Sequence, residues 1–180
     1  MGRIITVSGE LGSGKSMVSK ALAARLGYQY VSTGQFHRDM AREMGIDALE
    51  LNILAESDPS IDRKIDAMSQ ELVNDGNDYV VDSRIAWHFI TSSFKVYLVV
   101  DPDIAAARVL ADKQRCEEPA YADLVSAKTQ LLKRKESENK RYSQKYGIDR
   151  NNVSNYDLVL DTSLQTVEQI VDFLCVQVPR

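Results

Sequence analysis

The first 27 residues constrain the fold most. Ile4-Ile5-Thr6-Val7 is a β-branched run that stops at Gly9, residues 18–26 then repeat apolar side chains at helical spacing, and Gly27 ends them. Strand, glycine-bearing loop and helix in that order begin a βαβ unit, which commits a chain to a parallel sheet with helices on its faces. The alternation continues. A short strand at 28–31 runs into Ser32-Thr33-Gly34, a third, Tyr79-Val80-Val81, ends on Asp82, and a fourth at 96–100 ends on Asp101-Pro102, which opens a helix. A fifth, Leu158-Val159-Leu160, leads to a last helix for which Thr166 and Gln169 form a capping box. Helical patterns fill 35–44, 49–56 and 61–73, broken at Asp58-Pro59-Ser60, and a long charged helix runs from about 121 to 146, where Gly147 stops it. At 180 residues the chain fits one domain, large enough to bury about two thirds of its unfolded surface.

The loop itself carries chemistry. Gly9-Glu10-Leu11-Gly12-Ser13-Gly14-Lys15-Ser16 matches G-x-x-x-x-G-K-[ST], in which glycines let backbone N–H groups converge on a β-phosphate and the helix N-terminus adds partial positive charge. Lys15 then reaches the β- and γ-phosphates, and the Ser16 hydroxyl ligates Mg²⁺. A random chain of this length matches the string roughly once in a hundred, and here it also sits between a strand and a helix, as the motif requires. The expected fold is therefore α/β: a three-layer P-loop NTPase fold with a five-stranded parallel sheet and helices on both faces. A purine nucleoside triphosphate, ATP with Mg²⁺, is the expected ligand, held by Gly9 to Ser16 with Met17 following.

Charge and composition exclude other classes. The formal net charge is -4 and the pI about 5.3, so no global positive field exists to hold nucleic acid or an anionic membrane. No apolar run approaches the ~20 residues a membrane helix needs, and a cytoplasmic location is expected. Cys116 and Cys175 are far apart, and His37 and His88 are the only histidines; neither a disulfide nor a zinc site is expected. A monomer or a homodimer fits equally well.

A phosphate loop does not by itself separate a kinase from a switch or a machine, so the acceptor side decides. Three segments bear on it. Ser32-Thr33-Gly34-Gln35-Phe36-His37-Arg38 and Asp82-Ser83-Arg84 both leave strands at their carboxyl ends, where ligands of parallel sheets bind. Arg38 and Arg84 are placed to reach an acceptor phosphate, and Asp82 to hold a Mg²⁺-bound water. The plain alternatives are a Thr33 cap with a solvated Arg38, and a turn with a surface ion pair. On the long helix, Arg134 and Arg141 are seven apart and share a face with Glu138. That spacing also suits a row of solvated ion pairs, yet phosphoryl transfer needs cations over the migrating group. Arg108 and Arg115 are likewise seven apart, and an arginine there suits stacking on the base.

Taken together these residues resemble the P-loop nucleoside monophosphate kinases, and among them the short cytidylate kinases of the archaeal type. The resemblance runs from Ile4-Ile5-Thr6-Val7-Ser8-Gly9 to Tyr156-Asp157-Leu158-Val159-Leu160-Asp161-Thr162-Ser163. It includes Tyr30-Val31-Ser32-Thr33-Gly34 with Phe36 and Arg38, Asp58-Pro59-Ser60-Ile61-Asp62-Arg63, and Glu136-Ser137-Glu138 followed by Arg141-Tyr142 and Tyr146-Gly147-Ile148-Asp149. It implies transfer of the ATP γ-phosphate to CMP or dCMP, with Ser32, Thr33, Gly34, Phe36, Arg38 and Arg84 at the monophosphate and Lys15, Arg134, Arg141 and Asp82 at the transferred group. It also implies a core of 1–34, 77–118 and 147–180, an acceptor-binding helical insert at about 35–76 and a lid at about 115–146. AMP, UMP or a shikimate-like acceptor is the alternative within the class; outside it stands a nucleotide-binding regulatory protein with weak or no transfer. Two departures bear on that choice. Asp82-Ser83-Arg84 stands where the family often has Glu-Gly-Arg, so Ser83 is expected either to crowd the acceptor or to alter its hydrogen bonds, and Glu10 is expected either to place negative charge near the γ-phosphate or to point to solvent.

Overall fold

The computed structural model describes residues 2–46, 50–51, 54–55, 58–112 and 121–179. Its strands are β1 (Ile4–Gly9), β2 (Gln29–Ser32), β3 (Tyr79–Asp82), β4 (Phe94–Val99) and β5 (Leu158–Asp161). All are parallel and form one sheet in the order β2-β3-β1-β4-β5. The helices are α1 (Lys15–Leu26), α2 (Thr33–Glu43), α3 (Pro59–Asn74), α4 (Ala86–Phe89), α5 (Pro102–Ala111), α6 (Leu124–Tyr146) and α7 (Val167–Gln177), with a 3₁₀ turn at Val153–Asn155.

Both sheet faces are covered, which is why the strands read as almost unbroken apolar runs. On one face Ile5, Val7, Val80, Val96 and Leu98 pack against Val18 and Leu22 of α1 and Ile170, Val171 and Leu174 of α7. On the other, Ile4, Tyr79 and Val81 meet Leu72 of α3 together with Ala86 and Ile90. Helices α5 and α6 share a separate apolar seam, Ala105, Ala106 and Val109 against Ala127 and Leu131. The register sets Val7 opposite Asp82 and Gly9 opposite Leu98, so the carboxyl ends of β1, β3 and β4 share one edge. Strand order reverses about β1, and the phosphate loop leaves the sheet at that switch point.

Local chemistry fixes the boundaries. The Asp58-Pro59-Ser60 break is the start of α3: Asp58 accepts from the Ser60 N–H at 2.8 Å and proline occupies the first turn. Ser32, not Thr33, caps α2, accepting from the Gln35 N–H at 3.2 Å. Helix α6 starts at Leu124, three residues later than its charge pattern suggests, because Asp123 and Ser126 close a capping box there. The Thr166–Gln169 box is present as read. Of the pattern at 49–56, the described residues 50, 51, 54 and 55 are helical; Arg115 and Cys116 lie outside the described residues.

Candidate active site

The geometry of the phosphate loop is set by close approach. A Cβ on Gly9 would lie 2.8 Å from the Leu98 carbonyl oxygen, and one on Gly12, whose φ is +81, would lie 2.8 Å from Ala105 of α5. Only glycine fits either place without displacing backbone. The loop's carbonyls are held from behind. Thr162, fully buried at the end of β5, donates to the Ser13 carbonyl at 3.0 Å and stands 3.1 Å from that of Val99. Arg108 donates to the carbonyls of Gly12 (3.4 Å), Thr162 (2.6 Å) and Ser163 (3.3 Å). Helix α1 then starts at a left-handed Gly14, with no side-chain cap and no acid in its first turn, which leaves an open helix N-terminus, a ready site for a polyanion. The Ser13 hydroxyl is buried without a hydrogen-bond partner, a further polar atom to be met by a ligand. Ser16 and Met17 are exposed at the rim.

Lys15 and Asp82 form an ion pair across the β1–β3 edge, and the Tyr30 hydroxyl donates to the other Asp82 oxygen at 3.1 Å. The Asp82 side chain is 1% exposed and that of Lys15 16%. Burial, then the field of Arg84, joined by those of Arg150 and Arg38, pushes the Lys15 ammonium well below its ordinary range, while Glu138 opposes them. A carboxylate touching the ammonium favours its charged form in the same way. Lys15 thus sits among cations with Asp82 as its direct counter-charge, an arrangement that favours exchange for a more highly charged anion.

A second carboxylate organises the arginines. Glu138 on α6 receives Arg84 at 2.8 Å, Arg134 at 3.1 Å and Arg150 at 3.2 Å. Burial lowers Arg84 from its ordinary value, while Glu138 opposes that shift. The sequence singled out Arg84 from its place just past a strand and Arg134 and Glu138 from their helical spacing, but missed Arg150, whose side chain is only 2% exposed. A single arginine in a polar loop after a helix stop gives no periodic signal. Aromatic packing fixes Arg84 and the buried Arg150 by their backbones: the Trp87 Nε1 donates to the Arg84 carbonyl at 3.2 Å, and the Tyr156 hydroxyl to the Arg150 carbonyl at 3.0 Å. Trp87, Tyr97 and Tyr156 pack together, Tyr97 stacking on Tyr156 at 4.6 Å.

The remaining predicted residues divide between the two sides of the crevice. Arg38 on α2 donates to Gln35 at 2.8 Å, and Gly34, in the first turn of α2, is exposed. Phe36 packs with Met40, Ala41, Leu51 and Ile61 and so belongs to the small core of the helical insert. Arg141 on α6 lies over the Tyr142 ring, 5.1 Å from its centroid. The two departures resolve. The Ser83 hydroxyl accepts from the Ala86 N–H at 3.1 Å and is buried at the start of α4, so it braces that helix and does not crowd the crevice. Glu10 neither faces solvent nor stands unpaired beside the phosphates: it accepts from the Val100 N–H at 3.1 Å and pairs with Lys135 of α6.

This fold and site define a P-loop kinase. A parallel five-stranded sheet carries the phosphate loop at its switch point, an acid at the end of the adjacent strand, and arginines from outside the sheet closing over both. The chain belongs to the cytidylate kinase-like family, whose model matches residues 4–164. It is 37% identical over 172 residues to a cytidylate kinase of Sulfolobus acidocaldarius, covering 94% of this chain and 91% of that protein. With a cytidylate kinase of Haloarcula marismortui the identity is 38% over 162 residues, covering 89% and 81%. Among solved structures, an uncharacterized protein from Eubacterium ventriosum superposes with a TM-score of 0.75 at 16% identity, covering 98% of each chain. A shikimate kinase from Bacteroides thetaiotaomicron does so with a TM-score of 0.69 at 16% identity, covering 97% of each. At those identities the likeness is one of fold alone. Among the described residues no helix is long and apolar enough to cross a membrane.

Two outcomes follow from this geometry. Thr162→Val removes the hydroxyl that holds Ser13 and strands a buried carbonyl; it should cost about 1–3 kcal/mol and raise the KM for ATP several-fold, measured by denaturant titration and steady-state kinetics. His37 is pushed below its ordinary value by burial, then by Arg141 and Arg38. The unfolded chain therefore takes up this proton first, and stability falls as pH drops below the ordinary value of about 6.5. Unfolding transitions at about pH 7.5 and about pH 5.5 should differ less in His37→Gln than in the unsubstituted chain.

Proposed function

We propose that this protein transfers the γ-phosphate of ATP directly to CMP or dCMP. The observation that carries the reading is the convergence of Lys15, Arg84 and Arg134 around two buried carboxylates at the mouth of an open phosphate loop. A region with that surplus of positive charge suits two phosphorylated substrates approaching each other, and an unphosphorylated acceptor would leave part of it unmatched. The name of a relative aligned over more than nine tenths of the chain, a cytidylate kinase, supports cytosine as the base of the acceptor.

The residues present fit ATP with Mg²⁺. The glycine seat, the uncapped helix terminus and the orphaned Ser13 hydroxyl suit the phosphates, and Ser16, with Asp82 through water, would hold the metal. When bound, Mg²⁺ would neutralise part of the negative charge of the triphosphate. The guanidinium of Arg108 is held by three carbonyls, and its plane would stack on the base. On the acceptor side, Ser32, Thr33, Gly34, Phe36, Arg38 and Arg84 would surround the monophosphate.

Residues 35–76 would act as the acceptor-binding insert and about 115–146 as a lid, with 1–34, 77–118 and 147–180 as the core. Their closure would exclude water and align the acceptor oxygen with the γ-phosphorus. Lys15, Arg134 and Arg141 would then stabilise charge on the transferring group. The acceptor needs no general base, since a phosphate monoester is largely ionised at pH 7 with a second pKa of about 6.

The decisive assay measures ADP release with CMP, dCMP, UMP, AMP and shikimate as acceptors. CMP or dCMP should give the highest kcat/KM; tight ATP binding with no acceptor-dependent turnover would refute the proposal. Lys15→Ala should abolish transfer with the fold intact by circular dichroism. Arg84→Ala should raise the acceptor KM about tenfold or more, and an effect confined to the KM for ATP would show that Arg84 serves the donor instead.

A further inference from the structure

Glu138 is shared in an unequal way. Its Oε2 forms an ion pair with Arg84 at 2.8 Å and accepts from Arg150 at 3.2 Å, while its Oε1 accepts from Arg134 at 3.1 Å. One carboxylate is thus shared by three guanidinium groups. Two buried nitrogens of the same cluster, Arg84 Nη1 and Arg150 Nε, have no hydrogen-bond partner at all. Unpartnered buried donors of charged groups are costly, so the cluster is built for more anion than Glu138 supplies.

The three arginines also differ in freedom. The side chain of Arg134 is 43% exposed and that of Arg84 20%, whereas that of Arg150 is 2% exposed. Arg150 is fixed further by the Tyr156 hydroxyl on its carbonyl and by the Tyr142 ring, 5.6 Å from its guanidinium carbon. It is the member of the set that cannot swing toward a ligand.

We propose that Arg150 is a positioning residue that keeps Glu138 neutralised while Arg84 leaves it for the acceptor's phosphate. This rests on the reading of Arg84 as an acceptor-phosphate residue. In the ligand-free cluster Glu138 occupies Arg84 as an internal anion. When a phosphate arrives, Arg84 turns from one anion to the other, and the buried carboxylate would be abandoned were Arg84 its main counter-charge. A buried charge left without its partner is strongly unfavourable. Arg150, already on the same oxygen, removes that penalty and so weakens the hold of Glu138 on Arg84. Acceptor affinity is thereby set by a residue that does not touch the acceptor.

The test titrates inorganic phosphate into the protein saturated with ADP and Mg²⁺, so that the phosphate loop is filled and the arginine cluster is read alone, and it needs no turnover. Arg150→Met should weaken phosphate about tenfold, because Glu138 then clings to Arg84, whereas Arg150→Lys, which keeps the charge, should stay within about threefold. Glu138→Gln should tighten phosphate, since the internal competitor loses its charge. In kinetics with the best acceptor of the panel, Arg150→Met should raise the acceptor KM with the KM for ATP unchanged. A role in packing alone predicts that Lys and Met do equal harm and that Glu138→Gln weakens phosphate; either result overturns the proposal, as does unchanged affinity in Arg150→Met. Should Arg150→Met fail to fold, Arg150→Lys and the sign of the Glu138→Gln effect still decide. Loss of CMP turnover with the phosphate series intact would reject the acceptor, not this role of Arg150.

Discussion

Like charges crowd at the mouth of the sheet, and the rest of the structure is arranged to hold them there. Lys15, Arg84 and Arg150 are largely buried, Arg134 stands beside them, and two buried carboxylates, Asp82 and Glu138, face them. Buried cations repel strongly where water does not screen them, so each must be anchored by something that the repulsion cannot displace. The sheet provides this for Asp82, which ends β3 beside β1. The aromatic cluster of Trp87, Tyr97 and Tyr156 provides it for Arg84 and Arg150, whose carbonyls accept from Trp87 and Tyr156. Apolar packing thus secures an electrostatic device, and the open positive charge that remains is a property of the folded chain before any nucleotide binds.

The two carboxylates play parallel parts. Asp82 occupies Lys15 and Glu138 occupies Arg84, so in the absence of ligands both of these cations already have an anion at hand. Phosphates would displace these partners and leave them in place behind, Asp82 still bonded to Tyr30 and Glu138 still bonded to Arg150. Substrate binding on this view is an exchange of anions on a fixed set of cations. Such a site needs little reorganisation when charge builds up on the transferring group, which is the condition under which electrostatic stabilisation is most effective.

The sheet and the phosphate loop could be read from the chain because their signals are local. β-branched runs closed by Gly9 or by Asp82 mark strands, and the spacing of Gly9, Gly14, Lys15 and Ser16 has few other uses. Helix α4 was not legible, since four residues show no period. The ends of α2 and α6 were displaced by caps, as Ser32 and Asp123 lie where several candidates compete. At the site, arginines with a periodic partner, such as Arg134 with Glu138, announced themselves; Arg150 did not, for its importance comes from a loop folded back by Tyr156. Glu10 and Ser83 looked like liabilities in sequence because their hydrogen-bond partners, Val100 with Lys135 and the Ala86 N–H, are brought to them only by the fold.

The contact between Gly12 and Ala105 reaches beyond the loop. Helix α5 lies against the underside of the phosphate seat, with its small side chain 2.8 Å from where a Cβ at Gly12 would be. Its neighbours Ala106 and Val109 are packed in turn on Ala127 and Leu131 of α6. The depth of the seat is therefore fixed by the small apolar side chains of the seam between two stacked helices, Ala105, Ala106 and Val109 against Ala127 and Leu131, none of which needs to meet the nucleotide. In a lineage, bulk gained at position 105 would have to be offset along that stack, so the residues tuning grip on the donor extend well past those that touch it.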